Sequence, residues 1–78
     1  MSRMQGLIFR TYGGISADDK LAVMEQLYDG PKTTRQMAAN LDLDAIHTRN
    51  IVSNLVSIGM VEQVGRGHGG AKVWGAKA

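Results

Sequence analysis

The sequence predicts a mainly α domain with a small β-hairpin, in the order three helices and then two short strands. Three observations predict it. Apolar residues recur at three- and four-residue spacing in three segments after residue 15. Each segment opens on a Ser, Thr or Asp suited to a helix start, and the first and third stop at a Gly. A final segment places Gly65-Arg66-Gly67-His68-Gly69-Gly70 between two runs of β-forming residues.

Seventy-eight residues hold one domain with room for one small core. There is no Cys, so neither a disulfide nor a thiolate-bound metal can add stability, which has to come from packing and from any oligomer contact. A hydrophobic content of 44% fits a folded chain and not a disordered one. The sequence has no long apolar run and its start lacks a signal-peptide block, so the expected setting is cytoplasmic or nucleoid-associated, with no membrane partner.

Residues 1–15 are expected to form an N-terminal arm or short strand, with the domain proper at 16–78. Leu7-Ile8-Phe9, bounded by Gly6 and Gly13-Gly14, is an apolar run that can dock on the core or on a partner subunit; the plainer alternative is a frayed tail. Ser16 opens the first helix, where its hydroxyl can accept from the Asp19 N–H. Asp18 and Asp19 set negative charge at the positive helix end. Leu21, Met24, Leu27 and Tyr28, with Val23 beside them, give the helix one apolar face, and Gly30-Pro31 ends it.

Thr33 or Thr34 caps the second helix, whose inner side is Met37, Ala38 and Leu41. Leu41-Asp42-Leu43-Asp44 reads as the turn that follows. Asp44 caps the third helix, Ala45 to about Ile58, a rod of about four turns. Thr48, Val52 and Leu55 form its buried stripe, widened by Ile51 and Ile58. Its other side carries His47, Arg49, Asn50, Ser53, Asn54 and Ser57, and no acid occurs from Ala45 to Met60. Gly59 stops the helix. Val61 to Val64 reads as a strand, Gly65 to Gly70 as a loop, and Ala71 to Gly75 as the return strand. Trp74, Met37 and Met60 are most simply core.

This order resembles the winged helix-turn-helix family over about two-thirds of the chain. Met37-Ala38 followed by Leu41 is similar to the apolar-Ala-x-x-Leu signature of the motif's first helix, in which a small residue lets two helices cross closely. Many members have Gly where this chain has Asp42, so the resemblance implies a left-handed residue there, which Asp tolerates better than most at a cost in strain. The resemblance implies a three-helix winged helix-turn-helix domain. Its third helix would enter a major groove, and its glycine-rich loop would act as a wing.

The chemistry of the residues agrees with that expectation. The net charge is +2, and it is uneven: residues 1–29 carry three cations against four acids, while residues 30–78 carry six against three. A helix face meant for a DNA groove excludes carboxylates, which repel phosphates. Arg49 and Asn50 can make paired hydrogen bonds to G and A edges, with His47 and Ser53 beside them and Asn54 nearer the rim. Arg66 would reach the minor groove or phosphates from the loop, with His68 and Lys72 on the backbone. Thr34 and Arg35 begin the second helix, where free N–H groups suit a phosphate oxygen. The loop is no nucleotide cradle, because a strand follows it and not a helix with a Lys-Ser or Lys-Thr pair.

Nothing points to an enzyme. His47 and His68 are the only histidines, no nucleophile motif is present, and the spacing fits no known metal cage or cofactor site. The expected function is therefore sequence-specific binding of double-stranded DNA by a small transcriptional regulator. Specific interfaces bury about 1,000 Å² or more, so a homodimer joined through Leu7, Ile8 and Phe9 is expected, with Trp74 or the first helix as alternative dimer elements. The alternative is a winged helix that binds a protein partner instead of DNA, as phage-encoded inhibitors and assembly adaptors do. Its argument is the single cation on the third helix and the rule that fold does not fix function.

Overall fold

The computed structural model describes residues 16–77, so the expected arm with Leu7, Ile8 and Phe9 lies outside the described residues. Three helices are present: α1 (Ala17–Tyr28), α2 (Thr34–Leu41) and α3 (Ala45–Ser57). Three strands, β1 (Lys32–Thr33), β2 (Val61–Arg66) and β3 (Lys72–Ala76), make one antiparallel sheet in the order β1-β3-β2. The architecture is thus mixed α/β, with three helices and a small sheet where the sequence predicts a two-stranded hairpin.

The helix starts follow from side-chain capping. Ser16 accepts from the Asp19 N–H at 3.0 Å. Thr33 is the cap of α2 and forms a reciprocal box with Gln36: its hydroxyl accepts from the Gln36 N–H, and the Gln36 carboxamide accepts from the Thr33 N–H. Asp44 Oδ2 accepts from the N–H groups of Ile46 and His47 and so fixes the first turn of α3. Its main-chain oxygen also takes the hydroxyl of Thr48, which is fully buried. That bond is why a Thr can sit in the apolar stripe.

The ends of α2 and α3 share one closing motif. Leu43 N–H donates to Ala38 O and Asp42 N–H to Ala39 O; Met60 N–H donates to Leu55 O and Gly59 N–H to Val56 O. In each case a left-handed residue closes the turn, Asp42 directly after α2 at φ 55° and Gly59 one residue past the Ile58 cap of α3 at φ 81°. The structure therefore bears out the left-handed turn expected at Asp42. Lys32 reinforces the end of α1 by donating from Nζ to Gln26 O at 2.7 Å.

The core joins Val23, Met24 and Leu27 of α1, Met37 of α2, Ile51, Val52 and Leu55 of α3, and Val61 of β2. Leu41, Leu43, Trp74 and Ala76 pack against it from the side. Each fully buried aliphatic side chain contributes about 1.5–3 kcal/mol, so truncating one such as Leu55 removes a large part of a small domain's stability. Ala38 is buried on α2, the helix that packs against α3, as a close crossing requires.

Four apolar residues expected to face inward are instead exposed: Leu21, Tyr28, Ile58 and Met60. A single small core needs only one narrow stripe from α1, which Val23, Met24 and Leu27 fill, and no described element covers the flank carrying Leu21 and Tyr28. Ile58 closes α3 and so leaves the helix stripe, and Met60 follows the turn.

Strand β2 runs two residues further than the sequence predicts. Its register with β3 is Gln63↔Trp74 and then Gly65↔Val73, leaving Val64 as a bulge. Strand β1 adds Lys32↔Trp74 and Thr33↔Val73 on the other side of β3. The tip is a tight turn. Gly67 N–H donates to Ala71 O at 2.7 Å, and Arg66 Nη1 donates to Gly70 O at 2.9 Å. Gly69 and Gly70 supply the two positive φ angles that it needs.

Candidate nucleic-acid interface

Three separately fixed pieces meet around one open concavity of ≈ 970 Å³. The capping box of Thr33 fixes the start of α2, bringing Thr34, Arg35 and Gln36 into the lining of the concavity. The Asp44 cap fixes α3, which brings Arg49 and, one turn later, Ser53 into the lining. The stapled hairpin tip supplies His68 and Lys72, and Trp74 follows two residues later on the same strand. Residues two apart in a strand share a face, so Lys72 and Trp74 stand together, with Nζ 5.9 Å from the ring centroid.

The lining holds three permanent cations, Arg35, Arg49 and Lys72, and among the described residues it has no carboxylate. None of the three has an ion-pair partner among the described residues. The acids lie elsewhere: on α1 at Asp18, Asp19 and Glu25 and just past its end at Asp29, in the α2–α3 turn at Asp42 and at the Asp44 cap, and on β2 at Glu62. Such an arrangement can hold an anionic ridge between α3 and the hairpin tip, with amide N–H groups at the α2 start adding donors.

Six of the ten residues expected at a nucleic-acid site come together here: Thr34, Arg35, Arg49, Ser53, His68 and Lys72. Four do not line the concavity. Asn50 is exposed on α3 outside it. His47 is only part-exposed and holds Asp19 of α1, with Nε2 2.9 Å from Oδ2. Asn54 is half-buried, and its Oδ1 has no hydrogen-bond partner. Arg66 staples the hairpin tip through one guanidinium nitrogen.

Two residues of this surface escaped the sequence reading. Trp74 was expected in the core, yet it packs against the core and lines the concavity at once; strand alternation with Lys72 is the signal for that. Ile46 is 64% exposed on α3, three and four residues before Arg49 and Asn50 and therefore on their face of the helix. Its apolar character hid it from a search for hydrogen-bonding groups.

Among the described residues, no three His, Cys, Asp or Glu gather as a metal site, and no helix is long and apolar enough to cross a membrane. No protein-family model matches this chain, and no curated protein matches it.

Proposed function

We propose that this protein is a winged helix-turn-helix domain that binds double-stranded DNA in a sequence-specific manner, as a small regulator of transcription. In this reading α3 lies in the major groove and the β2–β3 tip is the wing. The observation that carries it is the acid-free concavity with Arg35, Arg49 and Lys72 on three different elements. A phosphate backbone is a ridge of negative charge flanked by two grooves. A helix and a hairpin tip on either side of a cationic trough complement that shape. Arg49 and Asn50 then supply base contacts, while Arg35, Lys72 and the α2 start position the backbone. Arg66 acts mainly by holding the tip in shape, with its remaining nitrogens free for phosphate.

The test is selection of bound duplexes from a random pool, followed by titration of the selected site at several salt concentrations. A recovered consensus and a steep salt slope support the reading. Absence of duplex binding at low salt removes it.

The rival reading is a winged helix that binds a protein. The exposed pair Leu21 and Tyr28, seven residues apart on one flank of α1, favours it, because such a stripe suits an apolar partner. A domain that ignores duplex DNA, together with loss of a partner on Leu21→Ser, would make it the better account.

A further inference from the structure

We infer that Ile46 is a specificity-determining residue that recognises the 5-methyl group of a thymine in the bound duplex; this rests on the DNA reading above. Single exposed apolar residues are ordinary on protein surfaces. What sets Ile46 apart is its place at the start of the helix. It is 64% exposed in the first turn of α3. On a helix, positions three, four and seven residues on share its face, and here these are Arg49, Asn50 and Ser53, all exposed. An apolar side chain thus stands at the leading end of a hydrogen-bonding face that carries no acid from Ala45 to Met60.

The nearest carboxylate in sequence is Asp44. Its Oδ2 accepts from the Ile46 and His47 N–H groups at 2.9 and 3.2 Å, so part of its charge is offset by the positive helix end. The same bonds hold the Ile46 backbone in register, so the side chain projects from a fixed turn. The N-terminal residues of a helix in a major groove are the ones nearest base edges. The one apolar group on those edges is the thymine methyl, and an aliphatic side chain is its natural contact. A protein surface could also cover an exposed Ile, but the cationic trough beside this face favours a polyanion.

The experiment starts from the site recovered by duplex selection with the full chain. Each thymine is replaced in turn by deoxyuridine, which removes only the methyl and keeps the base pair. Affinity is read by fluorescence anisotropy. The wild type is expected to lose about fourfold at one position, the effect of one buried methyl-sized group. Ile46→Ala should bind more weakly and show no further loss at that position, while Ile46→Val should keep part of the discrimination. A circular-dichroism melt checks that both variants fold. A wild type indifferent to every uracil, or an Ile46→Ala variant as sensitive to uracil as the parent, overturns the inference while leaving DNA binding intact. Failure of the pool to yield any duplex overturns both readings together and leaves a protein contact as the use of Ile46.

Discussion

The His47 imidazole stands 2.9 Å from the Asp19 carboxylate, tying the first turn of α3 to the first turn of α1 across 28 residues of sequence. The contact is an ion pair when the ring carries a second proton; otherwise it is a hydrogen bond from the ring N–H to the carboxylate. Both side chains are about one-third exposed, at 29% and 31%, so screening by water keeps the contribution small. Its value is positional: it sets the pitch of α3 against α1. His47→Ala and Asp19→Ala are each expected to cost about 0.5–1 kcal/mol in urea unfolding, with the double variant costing little more than either. His47→Ala should change duplex affinity far less than Arg49→Ala. Equal losses would return His47 to the base-reading set.

A second coupling lies in the sheet. A Cβ built on Gly75 would sit 2.9 Å from Cγ1 of Val64, the bulge residue. That is closer than carbon atoms tolerate, and a short β-branched side chain has little room to turn away. Gly75→Ala is therefore expected to destabilise by about 1–3 kcal/mol, the range for overpacking. Val64→Ala removes the obstructing methyl groups, and Val64 is half exposed, so that change alone should be nearly neutral. The pair together should recover most of the loss. Thermal melts of the four proteins test this, and additive effects would mean that Gly75 is required for another reason.

Asp42 offers the opposite kind of change. Its φ of 55° belongs to the left-handed region, which costs a non-glycine residue roughly 1–2 kcal/mol. Asp42→Gly relieves this but frees the unfolded chain, so the net gain should be about 0.5–1 kcal/mol. Asp42→Ala keeps a Cβ and loses the local hydrogen-bonding capacity of Asp, and it should not stabilise. A melt in which Asp42→Gly is less stable than the parent would show that the carboxylate has a use beyond the turn.

These residues also show what a sequence reader can and cannot see. The caps at Ser16, Thr33 and Asp44 and the turns at Asp42 and Gly59 depend on neighbours within five positions, so local chemistry exposes them. The buried stripe of α3 was legible because four of its residues meet the core at helical spacing. Strand β1 was not, since two residues carry no periodicity and exist as a strand only beside β3. The outward turn of Leu21 and Tyr28 was not, because periodicity marks a face without saying how much of it the fold can cover. At the candidate site, the cations were legible as types. Their meeting in one trough depends on where the hairpin tip folds back, and the withdrawal of His47 depends on a partner far along the chain.

That trough separates two kinds of cation by measurement. Arg35 and Lys72 line it without ion-pair partners among the described residues. Lys32 is a cation of the same segment, but its Nζ donates to Gln26 O at 2.7 Å, lies 3.6 Å from Asp29 Oδ2, and its side chain is 17% exposed. Each cation that neutralises a phosphate releases a counterion and adds about 0.9 to the slope of log affinity against log salt. Arg35→Ala and Lys72→Ala should each lower the slope by roughly that amount and weaken binding across sequences. Arg49→Ala should in addition flatten the preference among bases, because a base-edge hydrogen bond is lost. Lys32→Gln removes a charged donor from the end of α1, so it should cost about 1–2 kcal/mol of stability. It should leave the salt slope of the folded protein where it was. A slope that falls equally for Lys32→Gln and Lys72→Ala would mean that overall charge, and not the trough, governs the attraction.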